Sequence, residues 1–198
     1  MLHLQQFLDR NQQEAIAELC RSIARLAPML TPTMPSGANY RYQSTSCGVV
    51  GWISDRQGYR YSRTNPANGK PFPPMPIELV DLAHSMAAMV GEKSYRPDTC
   101  LINFYRQGGR LGLHQDNTEY DQSHCIISIS LGDDAIFTIG GTKRSDPTRD
   151  LLLRSGDALI LHGESRLAFH GIKRIIPGTS NLLKNGGRLN LTIRQVYD

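Results

Sequence analysis

The sequence predicts an α+β domain with a β-sandwich or jelly-roll core. Two stretches with helical periodicity fall before residue 98, and none obvious follows it. Beyond that point the chain becomes one short strand-like run after another. Gly-Asp, Gly-Gly and Ser-Gly-Asp turns punctuate those runs, as they do in sandwiches and jelly rolls.

In order, Leu2 to Leu8 reads as a short strand. Asp9 or Asn11 offers an N-cap for a helix running to about Leu26. Its apolar positions Ile16, Leu19, Ile23 and Leu26 recur at helical spacing, and Pro28 forbids continuation. Residues 31–39, TPTMPSGAN, form a loop. From Tyr40 to Ser62 the pattern is two or three strands with a turn at residues 55–58. This segment holds the only tryptophan, Trp52, and interleaves Tyr40, Tyr42, Tyr59 and Tyr61 with Arg41, Arg56, Arg60 and Arg63. Rings alternating with guanidinium groups suit stacked bases and phosphates, although aromatic residues are also good strand formers. A proline-rich connection over 64–76 leads into a helix from Ile77 to Val90. There Val80, Ala83, Ala87 and Val90 share a face, and Gly91 is the C-cap. The strands that follow are expected at 99–105, 111–114, 125–131, 135–139, 151–154, 157–162, 168–172 and 188–196.

The 198 residues amount to one domain that can bury a core without staples. A net charge of +4 permits contact with a polyanion without establishing it. Four scattered cysteines with no CxxC pair point to a reducing compartment. The N-terminus shows no basic stretch followed by an apolar block, and no segment approaches membrane-spanning length. The expectation is a soluble cytoplasmic protein with no membrane partner, working as a monomer.

The chemistry concentrates in LINFYRQGGRLGLHQD, residues 101–116. In an extended segment His114 and Asp116 lie on one face, so an imidazole nitrogen and a carboxylate oxygen can converge on one point. A third ligand is needed, and His170 is the best candidate downstream. Two histidines and a carboxylate with open positions are the facial triad of non-haem Fe(II) oxygenases; a zinc hydrolase could use the same ligand types. His84, His124 and His162 are read as ordinary hydrogen-bonded histidines. The last strand, RLNLTIRQV, alternates Leu189, Leu191 and Ile193 with Arg188, Asn190, Thr192 and Arg194. If the polar face looks outward, it is a half-exposed strand. If it looks inward, two buried guanidinium groups need anionic partners, and a dicarboxylate reaching between Arg188 and Arg194 would supply them.

These stretches resemble the AlkB family of Fe(II)/2-oxoglutarate-dependent nucleic-acid repair dioxygenases. The similarity is carried by GWISDRQGYRYS, PPMP, PDTCLINFY, LGLHQD, ISISLGDDAIFTIGG, LLLRSGDALILHGESRLAFHGI and RLNLTIRQV, in that order. The resemblance implies a double-stranded β-helix (jelly-roll) core over 98–198. Residues 1–97 would be N-terminal helices and a β nucleotide-recognition lid, all in a single domain spanning 1–198. It implies that His114, Asp116 and His170 are the catalytic iron ligands. Arg188, with Tyr105 and Asn103, would hold the distal carboxylate of 2-oxoglutarate, and Arg194 with Asn190 the carboxylate beside the metal. Trp52 would lie against a flipped base, Tyr59 near its backbone, and Arg144 close to the substrate pocket. The implied cofactors are Fe(II), 2-oxoglutarate and O2. The implied reaction is oxidative removal of N-alkyl groups from bases in single-stranded DNA, with RNA as a second candidate, releasing succinate, CO2 and formaldehyde. A hydroxylase of a protein or small molecule is the alternative, and the GWISDRQGYRYS stretch argues against it. One departure stands out. Two positions beyond Asp116, where the best-known member has a second aspartate near the base, this chain has Thr118, followed by Glu119. With Thr118 there, the pocket loses an acceptor for an exocyclic amine.

Overall fold

A computed structural model describes residues 1–197. After a three-residue strand, β1 (Leu2–Leu4), comes helix α1 (Arg10–Leu26). Asp9 caps it: its carboxylate accepts the Gln12 N–H at 2.8 Å while the Gln12 side chain accepts the Asp9 N–H at 2.9 Å. Ile16, Ala17, Cys20 and Ile23 are its buried face. Leu26, expected inward, is 63% exposed, because at about 100° per residue it falls to the flank of that stripe.

Strand β2 (Gln43–Gly48) and the hairpin β3 (Gly51–Asp55)–β4 (Gly58–Ser62) follow, then helix α2 (Ile77–Ala88). The buried face of α2 is Leu79, Ala83, Met86 and Ala87. Val80 and Val90 are only half-buried, so the expected stripe is turned by one residue toward the larger Leu79. The remaining strands are β5 (Thr99–Tyr105), β6 (Leu111–His114), β7 (Ile126–Gly132), β8 (Asp134–Ile139), β9 (Arg149–Leu153), β10 (Ala158–Leu161), β11 (His170–Ile176) and β12 (Arg188–Arg194). Most boundaries fall within two residues of expectation, but β1 stops at Leu4 rather than Leu8 and β11 is displaced. A 3-10 turn over Gly163–Leu167 holds the chain off the sheet, and β11 begins at His170 and runs on to Ile176.

The larger sheet has the order β1-β10-β7-β12-β5-β2, and the smaller β6-β11-β8-β9; every pairing is antiparallel. Strands β1 and β2, from the first half of the chain, thus form the two edges of the larger sheet. This is the α+β jelly-roll core. One face of the larger sheet packs against both helices, with Cys47, Cys100, Ile102, Ile127, Ile129, Leu189, Leu191 and Ile193 meeting Ile16, Leu79 and Met86. The other face meets the smaller sheet through Tyr105, Ile126, Phe137, Leu159, Leu161 and Ile172. All seven residues of β12 are buried. With its leucines on the helix side, the strand's alternation turns Arg188, Asn190, Thr192 and Arg194 into the space between the sheets.

Candidate metal centre and cosubstrate pocket

A cavity of about 490 Å³ opens between the sheets, lined among others by His114, Asp116, His170, Arg188, Arg194 and Trp52. The two histidines arrive by sheet register. His170 at the start of β11 is the direct partner of His114 at the end of β6, and their rings lie 4.5 Å apart. Such close strand approach depends on Gly171, where a Cβ would sit 2.5 Å from the Leu111 carbonyl oxygen. Asp116 follows two residues after β6. Ligand atoms of His114, Asp116 and His170 all lie within 4.8 Å of one another.

The protonation pattern suits a metal. A carbonyl only accepts, so His114 donates Nδ1–H to Gly112 O at 3.0 Å and His170 donates Nδ1–H to Ala168 O at 2.9 Å. Each Nε2 faces Asp116, whose oxygens stand 3.4 Å from His114 Nε2 and 3.8 Å from His170 Nε2. Burial acts to lower His114, but its bond to Asp116 outweighs that and raises it, so a metal bound there replaces a proton. Burial, with His114 beside it, pushes His170 down to about 4, so it is neutral and ready to ligate near pH 7. Burial acts to raise the Asp116 carboxyl, but Arg194 and the two histidines outweigh it and hold the group well below the usual carboxylate range.

The two arginines of β12 are not equivalent. Arg194 is already paired: Nη2 meets Asp116 Oδ2 at 2.8 Å, and Nη1 donates to Glu119 Oε1 and to the Tyr61 hydroxyl, each at 3.1 Å. Arg188 is 1% exposed, and of its nitrogens Nη2 donates to Ser130 Oγ at 3.0 Å while Nε and Nη1 have no partner. Its guanidinium lies 5.6 Å from the ring of Tyr105, its neighbour in register on β5. Burial pushes Arg188 down to about 10. The Asn103 side-chain oxygen is also unpartnered, whereas Asn190 spends its amide on Ser128 Oγ and Ile129 O. An orphaned, buried guanidinium calls for an anion, and 2-oxoglutarate fits that demand. Counted with a divalent metal, the net charge of this cluster is three positive and falls to one when a dianion binds, because Glu119 and Arg166 cancel.

Trp52 and Tyr59 stand on the β3–β4 hairpin with their rings stacked at 5.8 Å and 13°. Arg144 lies over the Phe169 ring at 5.1 Å and donates to Leu113 O at 3.0 Å, next to His114. Thr118 lines the cavity. Of the interleaved arginines, Arg60 is committed within the hairpin to Asp55 at 2.7 Å, while Arg41, Arg56 and Arg63 are exposed. His84, His124 and His162 lie outside the triad, and His124 sits between Glu92 and Asp121 at 3.2 and 3.3 Å.

Sequence reasoning missed three participants: Glu119, Arg166 and Tyr61. The buried Glu119 side chain binds Arg166 at 3.2 Å as well as Arg194 and Tyr61. A signal existed, since two arginines on one inward strand and a third at Arg166 ask for more carboxylates than Asp116 alone.

Two histidines and one carboxylate leave coordination positions open, and here they do so beside an arginine waiting for an anion. Fold and site together define a non-haem Fe(II), 2-oxoglutarate-dependent oxygenase. The family model for the 2OG-Fe(II) oxygenase superfamily matches residues 1–194. The chain is 46% identical over 95% of its length to an AlkB homologue, an alpha-ketoglutarate-dependent dioxygenase of Caulobacter vibrioides, and covers 84% of that protein. It is 41% identical over 93% of its length to the Escherichia coli alpha-ketoglutarate-dependent dioxygenase AlkB, covering 85% of it. The solved structure of OsALKBH1 superposes with a TM-score of 0.83 at 32% identity, over 98% of this chain and 97% of that one. The chain belongs to the AlkB family of Fe(II)/2-oxoglutarate-dependent dioxygenases, and its cofactors are Fe(II), 2-oxoglutarate and O2.

Proposed function

We propose that this enzyme removes alkyl groups from ring nitrogens of bases in DNA, preferring single strands and accepting RNA as a second substrate. One observation carries the reading: a single cavity runs from the His114–Asp116–His170 cluster to the Trp52 and Tyr59 rings of the hairpin. A base held flat against those rings would turn its edge toward the metal. An alkylated base is electron-poor, and often cationic, which favours an aromatic face. A human relative, 34% identical over 64% of this chain, is named a nucleic acid dioxygenase.

In this reading His114, Asp116 and His170 hold Fe(II). Arg188 binds the distal carboxylate of 2-oxoglutarate, with Tyr105 and Asn103 beside it. Arg194 keeps Asp116 in place and offers its unpartnered Nε to the carboxylate near the metal, with Asn190 alongside. Trp52 stacks on the base, Tyr59 contacts its backbone, and Arg144 and Thr118 line its edge. Bound Fe(II), 2-oxoglutarate and O2 supply the oxidation that hydroxylates the alkyl carbon. The resulting hydroxymethyl adduct releases formaldehyde unaided, and that step requires no general base from the protein. The target atom lies on the pairing edge, so the base must be unpaired or extruded. The whole chain, 1–198, works as one domain and as a monomer in the cytoplasm. Among the described residues no helix is long and apolar enough to cross a membrane.

Mass spectrometry of a methylated single-stranded oligonucleotide, incubated with enzyme, Fe(II), 2-oxoglutarate and ascorbate, tests the reading. Loss of one methylene mass that requires 2-oxoglutarate is expected. Succinate formation with every methylated oligonucleotide left intact points instead to a protein or small-molecule substrate.

A further inference from the structure

The hairpin that carries Trp52 is tied to the Asp116 carboxylate by a continuous run of hydrogen bonds, part-buried at Tyr61 and buried beyond it. Tyr61 on β4 is the direct cross-strand partner of Trp52 on β3. Its hydroxyl donates to Glu119 Oε1 at 2.6 Å and accepts from Arg194 Nη1 at 3.1 Å. The other terminal nitrogen of that guanidinium holds Asp116 Oδ2 at 2.8 Å. Arg166 closes the circuit, donating to Glu119 Oε2 at 3.2 Å and to the Asp116 backbone oxygen at 2.6 Å. Asp116 is therefore gripped at both side chain and main chain by two arginines that share one glutamate, and that glutamate is shared with the hairpin.

We propose that Tyr61 is a positioning residue that couples the hairpin to Asp116, so that loading the metal site sets the hairpin and a nucleotide on the hairpin sets Asp116. Glu119 and Asp116 compete for one planar guanidinium. Withdrawing the Tyr61 hydroxyl takes a donor from Glu119, which must then draw harder on Arg194 and turn it away from Asp116. Such charge-assisted bonds are roughly twice as strong as neutral ones, and burial makes an unmet partner costly. Linkage makes the effect reciprocal: whatever the metal site does to nucleotide affinity, the nucleotide does to the metal site. This inference rests on the substrate reading above for its nucleotide half only.

The experiment uses the whole chain with Zn(II), which is redox-inert, plus 2-oxoglutarate. Trp52, the only tryptophan in the sequence, reports on the hairpin directly. In wild type, Zn(II) and 2-oxoglutarate should change Trp52 emission and tighten a single-stranded oligonucleotide by about tenfold, within the usual range of coupling between sites. Tyr61→Phe should still bind Zn(II) and 2-oxoglutarate by calorimetry, yet lose the emission change and give one oligonucleotide Kd with or without metal. Glu119→Gln, which breaks the same path from the core side, should do the same and decides the matter if Tyr61→Phe does not fold. A wild-type emission change in both variants, or no change in wild type, overturns the proposal. If no oligonucleotide binds in any state, the substrate reading fails, while the emission response still decides the coupling.

Discussion

Asp116 stands between two partners, the histidines with which it could hold a metal and the guanidinium of Arg194. Replacing His114, Asp116 or His170 by alanine should abolish turnover. Each change should also weaken Co(II) binding, read by absorbance, by more than the roughly 10–100-fold that loss of an outer partner costs. Unchanged Co(II) affinity in any of the three removes that residue from the triad. Arg188 permits a less obvious test. Without a dianion its charge is buried and under-partnered, so Arg188→Met should stabilise the metal-free protein by about 1–4 kcal/mol while eliminating any rise in Tm on adding 2-oxoglutarate. A variant that is less stable yet still responds to 2-oxoglutarate means that Arg188 serves the fold. The convergence of His114, Asp116 and His170 was legible in sequence because HxD spacing and the inward-facing arginine strand constrain each other. Glu119 was not: a carboxylate in a polar loop reads as solvated until the arginines that surround it are brought together.

The β3–β4 hairpin carries the stacking rings, and its contribution is separable from that of the jelly roll. Trp52→Ala should lower affinity for a methylated single strand roughly 5- to 150-fold, since base stacking is worth about 1–3 kcal/mol, while leaving Co(II) binding intact. Thr118 on the loop after β6 sets a second expectation. It has no carboxylate to accept from an exocyclic amine, and Glu119 is turned away toward Arg166 and Arg194. Wild type should therefore process etheno adducts at rates comparable to methyl lesions, and Thr118→Asp should narrow that range. An unchanged ranking in Thr118→Asp contradicts this account of the pocket. Elements were largely legible where local signals are strong: capping at Asp9, the turn at residues 55–58, the alternation of β5, β6 and β12. The start of β11 lies two residues beyond the expected one, because the 3-10 turn before it has no apolar period to betray it. The helix faces also differ from the spacing alone, since a side chain such as Leu79 outweighs the positions around it.

At the scale of the whole molecule, sheet order was not legible, because the pairings that matter are remote. β1 joins β10 across more than half the chain, and β12 sits between β5 and β7. Periodicity says that a strand exists, not which strand it lies beside. That order makes the site, since it sets His114 opposite His170 and Arg188 opposite Tyr105. Metal and cosubstrate should in turn hold the two sheets together. At about 100 times its Kd the metal alone adds about 2.7 kcal/mol, a rise in Tm of roughly 5–10 °C for a chain of this length, and chelation should remove it. Oxidation of 2-oxoglutarate in this cavity should be coupled to dealkylation of a base. The most direct measurement follows succinate, formaldehyde and restored base together in one reaction on a methylated single-stranded oligonucleotide. Equal amounts of all three are predicted, with succinate falling sharply when the oligonucleotide is unmethylated. Succinate at the same rate whether or not the base carries a methyl group, with no formaldehyde, would contradict the account.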